Sequence, residues 1–223
     1  YGMYGQLGML FNSTIWSSYK GTMIVSVLCA LVAGTLGTLI GYAVSKKRRN
    51  KFANYVNNVA FIPYLLPSIA VGIAFYKLLC NEYFSLYNTY ALLIIVGTVK
   101  YIPFASRSSL NSMLQISGEI EESAIIQDIP WIKRMFRIII PIQKTSILSG
   151  YLLPFTTCIR ELSLFMMLSG IGTILSTTMD YFDEMGLAAF SSGMNLILIV
   201  TVLICNAVIN KLTGASLDKG IGG

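Results

Sequence analysis

Lys100, Arg160 and Glu161 are ionisable side chains set inside stretches of sequence that are otherwise apolar. Charge is costly to hold away from water, so such residues serve a pathway, a partner or a structural pairing. Two roles stay open for the adjacent Arg160 and Glu161. They could form a translocation pair, with Glu161 open to a cation and Arg160 to an accompanying anion, or an interhelical ion pair that fixes packing. Lys100 either partners Glu161 or extends its ammonium toward the membrane boundary, and a structural role is favoured for it. Other chemistry is excluded by composition. With no histidine in the sequence, a Ser-His nucleophile pair or a His-rich metal cage is impossible. Cys29, Cys80, Cys158 and Cys205 form no Cys-x-x-Cys pair and read as small buried side chains. No catalytic residue and no metal ligand is assigned. The chain also lacks a G-x-x-x-x-G-K-[ST] phosphate loop, so any nucleotide chemistry belongs to a partner.

The elements that carry these residues belong to a membrane. The chain is 55% hydrophobic and 12% charged, against roughly 45–50% and 25% in soluble domains. Its net charge of +6 is gathered in short clusters beside apolar runs, as juxtamembrane charges are, which argues against a nucleic-acid partner.

Thr22 to Val44 carries no charge and, at 1.5 Å per residue, is long enough to cross a hydrocarbon core of about 30 Å. Its Gly37-x-x-x-Gly41 spacing suits close approach by another helix, although glycine is also tolerated generally in membrane helices. Three further spans are interrupted. Tyr55 to Leu79 carries Pro63 and Pro67, Tyr90 to Leu110 carries Lys100 and Pro103, and Thr145 to Leu168 carries Pro154 and the Arg160-Glu161 pair. A proline bend that serves packing is the expectation for Pro63 and Pro67. Leu187 to Leu212 is the last apolar run, giving an all-α polytopic protein with about five crossings.

Basic residues orient it. The run Ser45 to Lys51, SKKRRNK, the stretch Arg107 to Lys144, and the tail with Lys211 and Lys219 all fall on one side under strict alternation, which is the cytoplasmic side. Residues 1–21 then form an external segment, 22–214 the transmembrane domain, and 215–223 a cytoplasmic tail. An N-terminus placed outside without a signal segment implies a preceding helix not contained in these residues.

The cytoplasmic loop, about residues 111–143, is too long for a simple connection and should hold its own structure. Ser117 is suited to cap a helix whose first turns carry Glu119, Glu121 and Glu122, where the macrodipole favours negative charge. A second short helix begins near Pro130 and presents Trp131, Ile132, Met135 and Phe136 beside Lys133, Arg134 and Arg137. Periodicity alone would let both lie at the lipid interface.

The spacing within this loop resembles the cytoplasmic coupling motif of binding-protein-dependent ABC importer permeases, Glu-Ala-Ala, then Gly, then Ile-x-Leu-Pro. Glu122, Ser123 and Ala124 match its start, Asp128 stands in the Gly position, and Ile138, Ile140 and Pro141 match its end. Ser123 for Ala is a mild departure. Asp128 for Gly bears on a backbone turn that Gly permits and Asp tolerates better than most residues. FIPYLLPSIAVGIAF before the motif and IRELSLFMMLSG after it extend the resemblance to residues 21–214, most like the ferric-iron branch, with polyamine, phosphonate, sulfate and thiamine importers close in pattern.

The resemblance implies a type I ABC importer permease fold, the C-terminal half of a fused two-half permease in the bacterial inner membrane, importing ferric iron. It further implies an extracytoplasmic substrate-binding protein, a second permease half, and ABC ATPase subunits that hold ATP and Mg. Glu122, Ser123, Ala124, Ile125, Asp128, Ile129 and Pro141 would be the ATPase-coupling residues, and Lys100, Arg160 and Glu161 the substrate pathway. A secondary transporter or channel using the same three charges as an ion relay is the rival reading.

Overall fold

The computed structural model describes residues 12–46, 50–83 and 85–213. The far N-terminal part of the expected external segment, most of the first basic cluster, and the expected cytoplasmic tail lie outside the described residues. The described chain is almost entirely helical: α1 (Ser13–Lys46), α2 (Lys51–Leu65), α3 (Ser68–Leu79), α4 (Tyr90–Leu114), α5 (Gly118–Ile126), α6 (Trp131–Ile142), α7 (Lys144–Cys158), α8 (Leu175–Glu184) and α9 (Ala188–Thr213). Three of these, α1, α4 and most of α9, are long and apolar enough to cross a membrane; counting each bent pair, α2 with α3 and α6 with α7, as one span gives five.

Helix α1 begins within the stretch expected to be external, where Asn12 accepts the Thr14 N–H at 2.9 Å as a cap. It is the central element, packed against both α4 and α7. Small residues make this possible. A Cβ added at Gly37 would fall 2.5 Å from Ala105 Cβ and 2.7 Å from the Ser106 nitrogen, and one at Gly41 would fall 2.7 Å from the Leu110 nitrogen. The two glycines therefore serve helix approach rather than mere tolerance. In lipid, where tails are as apolar as leucine, such packing contacts carry much of helix association. Meanwhile Leu31, Leu36 and Leu39 of α1 and Leu203 and Ile204 of α9 are exposed, as lipid-facing side chains are.

The span expected at Tyr55 to Leu79 is two helices meeting at 103°. Leu66 is extended (φ −86, ψ 139), the conformation that a following proline imposes. Pro63, inside α2, does not break it. Pro67 has no N–H to offer the Pro63 carbonyl one turn back. That carbonyl instead accepts from Lys100 Nζ at 2.9 Å, and Leu66 O accepts from the same ammonium at 2.5 Å. Lys100, buried on α4, thus closes the break, a role different from the Glu161 partnership or the extension to the membrane boundary expected of it.

The span expected at Thr145 to Leu168 is corrected in the same way. Helix α7 stops at Cys158, and residues 159–174 run as turns before α8, a helix that lies between the last two expected spans. Arg160 and Glu161 therefore lie just beyond a helix end, not within a helix. The turn is viable because its backbone groups find partners inside the protein: Glu161 N–H donates to Cys158 O at 3.1 Å, Ser176 Oγ donates to Glu161 O at 2.7 Å, and Asn88 N–H donates to Leu168 O at 3.0 Å. Leu164, Phe165 and Leu168 of this turn pack with Val25, Leu93 and Val96 into the largest apolar cluster.

Two outcomes follow from this packing. Gly37→Leu is expected to overpack the α1–α4 contact, costing about 1–3 kcal/mol and lowering the melting temperature in detergent, while Ile204→Val on the lipid face leaves it unchanged. Lys100→Met, which leaves two carbonyls unmatched, should cost about 1.5–3 kcal/mol and speed alkylation of a cysteine placed at Ser68.

Candidate functional site

Two regions gather the residues singled out by the sequence. The first is the unit of short helices, α5 and α6, expected on the cytoplasmic side. Helix α5 begins at Ser117, an N-cap by backbone conformation though its hydroxyl makes no capping bond. The helix ends in a motif that explains the position of Asp128. Asp128 has φ +52, its N–H donates to Ile125 O at 2.9 Å, and the Ile129 N–H donates to Ala124 O at 3.1 Å. This is a Schellman cap with aspartate at the left-handed residue, normally glycine. The turn is intact, and the chain enters α6 after Pro130, its N-cap.

Around this cap the residues expected from sequence to couple divide by exposure. Ala124 is buried, whereas Glu122, Ser123, Ile125 and Asp128 are exposed and Ile129 is half-buried. Ile126, Ile132 and Phe136 add exposed apolar surface at 83%, 63% and 65% accessibility. Pro141 sits apart, inside α6. Its ring crowds the preceding turn, and the helix widens there to a π-turn over Met135–Ile139, with the Ile140 N–H reaching Met135 O. Met135 and Ile139 face inward against Met113 and Ile147.

Glu121, read from sequence only as an acidic first-turn residue, is buried and anchors α5 to α1. Its Oε1 accepts the Tyr42 O–H at 2.5 Å and its Oε2 forms an ion pair with Lys46. Burial alone would raise its pKa, but the hydrogen bonds from Lys46 and Tyr42, aided by the Lys46 and Arg134 charges, hold the carboxyl below the usual glutamate range. Spacing alone did not mark it: Ile125, one turn on from Glu121, is exposed, and the partners Tyr42 and Lys46 that bury Glu121 lie far away in sequence.

The second region is a cavity of about 820 Å³ lined by the α2–α3 break, by Lys100, Tyr101 and Phe104 of α4, and by Thr157, Arg160 and Glu161. Lys100, Arg160 and Glu161, singled out from sequence, thus line one cavity, as does the bend at Pro67, which was expected to serve packing. Arg160 and Glu161 form no ion pair with each other. Among the described residues the only ion pair is Lys46–Glu121. Glu161 is engaged at both oxygens, Oε2 accepting the Tyr101 O–H at 2.5 Å and Oε1 the Leu164 N–H at 3.0 Å. Lys100 is committed to its two carbonyls. Arg160 is exposed, its Nε donating to Thr156 O at 3.2 Å, and its terminal nitrogens have no hydrogen-bond partner among the described residues. Tyr101 escaped sequence reasoning because its partner lies across the fold at Glu161.

The left-handed Asp128 sets a direct outcome. Asp128→Gly should relieve roughly 1 kcal/mol of backbone cost and slow hydrogen exchange at the Asp128 and Ile129 amides, whereas Asp128→Val should speed it.

Comparison with known proteins agrees with this architecture. The chain is 24% identical over 224 residues, 95% of this chain and 77% of the other, to the inner membrane ABC transporter permease protein YcjP of Escherichia coli (strain K12). It is 25% identical over 171 residues to the molybdate/tungstate transport system permease protein WtpB of Methanocaldococcus jannaschii, covering 74% of this chain and 68% of that one. In fold it is similar to the methionine ABC transporter MetNI, with TM-score 0.72, 14% identity and coverage of 89% and 92%. It is likewise similar to a bacterial alginate ABC transporter solved with its pentasaccharide-bound periplasmic protein, with TM-score 0.74, 16% identity and coverage of 97% and 85%. The model of one family, the binding-protein-dependent transport system inner membrane component, matches residues 33–216, and the chain belongs to that family as a multi-pass inner-membrane permease subunit of an ABC importer.

Proposed function

We propose that this permease passes an anion, delivered outside by a substrate-binding protein, along the cavity at Arg160, and that α5 with its Asp128 cap docks inside on ATPase subunits that hold ATP and Mg. The observation that carries the substrate class is the state of the three cavity charges. Lys100 and Glu161 are both occupied by the protein, which leaves the exposed Arg160 guanidinium as the charged group facing the cavity with donors to offer. Arginine presents a planar fork suited to oxyanions.

The ferric-iron reading needs Glu161 open to a cation, and both of its oxygens are engaged. Polyamine or thiamine would meet Arg160 as a like charge. Sulfate, phosphonate and the molybdate or tungstate named for a relative share the chemistry that Arg160 suits. On the cytoplasmic side, exposed Glu122, Ile125 and Ile126 around the Schellman cap supply an apolar tip with a charged edge, suited to a cleft in a partner. A second permease half completes the pathway.

Uptake by cells expressing the complete transporter tests the substrate class, with labelled molybdate, sulfate and ferric iron offered separately. Oxyanion uptake that falls on the order of tenfold or more in Arg160→Gln is the expected result. Uptake of iron alone, or anion uptake indifferent to Arg160→Gln, would sink the proposal.

A further inference from the structure

We propose that Glu121 is a positioning residue that makes the cytoplasmic unit move with α1, and so sets how much of a displacement at the docked tip reaches the cavity. The inference rests on the docking reading above, and it assigns a role to a residue behind the docking face, not on it.

Glu121 is 6% exposed, while its neighbour Glu122 is exposed at the tip. Its two oxygens meet Tyr42 and Lys46, residues one turn apart at the inner end of α1. The Tyr42 ring also lies 6.2 Å from the Trp131 ring at the start of α6, so one turn of α1 holds both short helices. The attachment is therefore directional and polar where the remainder of the contact, through Met135 and Ile139, is apolar and able to slide.

What α1 does with a displacement follows from its neighbours. It packs on α4, which carries Lys100 and Tyr101, and on α7, which leads into Arg160 and Glu161. A push at α5 that is rigidly joined to α1 is delivered to two walls of the cavity. Without the carboxylate, α5 and α6 remain attached by apolar contacts, and the same push is absorbed at the Tyr42 seam. Spatial continuity alone does not establish coupling, so the decisive readout is nucleotide response at the cavity.

The experiment uses the purified complex of this permease with its ATPase and second half. A cysteine is placed at Ser68 on the cavity wall, Cys80 and Cys205 are replaced by serine, and N-ethylmaleimide labelling is timed with and without Mg-ATP and vanadate. In the parent, nucleotide should change the labelling rate on the order of tenfold, within the range of ordinary coupling. Glu121→Gln and Tyr42→Phe are expected to reduce that change to less than about twofold while the ATPase still co-purifies, and Lys46→Arg, which keeps the ion pair, should retain it. A full nucleotide response in Glu121→Gln and Tyr42→Phe overturns the proposal. So does loss of ATPase binding and melting temperature in the mild Tyr42→Phe variant, the signature of a residue that only props the fold. Failure of the docking reading looks different: Glu122→Arg would keep its ATPase, or the parent would show no nucleotide response.

Discussion

A backbone carbonyl or amide at membrane depth has no water to bond, and every departure from helix must be repaired by the protein itself. This constraint organises the whole cavity-lining half of the molecule. The chain leaves helical geometry at Leu66–Pro67 and again after Cys158, and both departures face the same cavity. Lys100 repairs the first with its ammonium, and Glu161 repairs the second by accepting the Leu164 amide while fixing Tyr101. Two of the three charges embedded in apolar sequence are thus consequences of broken helices, and the third, Arg160, is left facing the space that those breaks open.

The unit of α5 and α6 answers a different demand, that a short exposed element hold its shape. An isolated helix as short as α5 would not persist in water. It persists here because its end is closed by the Schellman bonds at Asp128 and Ile129, its buried side is pinned through Glu121, and α6 wedges Met135 and Ile139 into the bundle. Its exposed side is consequently apolar without being structurally necessary to the chain, and such a surface has its use in contact with something else.

Much of this was legible in the sequence, for reasons that separate local from long-range information. The spans at α1, α4 and α9 and the pair of short helices follow from apolar run length and cap residues. The tolerance of aspartate at position 128 was a local backbone matter and could be anticipated. The break at Leu66 was visible as a proline, but its geometry was not, because a 103° turn requires a partner for Pro63 O, and that partner is thirty-seven residues away in sequence at Lys100. The end of α7 at Cys158 was hidden for the same reason: apolar residues continue to Leu168, and the partners that satisfy the turn's backbone, Ser176 and Asn88, come from other elements. Glu121 and Glu122 are indistinguishable by type, and only the fold decides which of them is buried.

The close seam at Gly37 and Gly41 bears on biogenesis. Helix α1 is an unbroken apolar run that partitions into a bilayer unaided, whereas α4 carries Lys100, Pro103 and Arg107 and has far less to gain from lipid alone. Because α1 precedes α4 in the chain, its glycine face is already in the membrane when α4 emerges from the ribosome, offering a backbone-deep groove against which the more polar helix can lodge. The same two glycines that set the spacing of the finished bundle thereby set the order of its construction, with α1 acting as the template on which the less hydrophobic segments are retained.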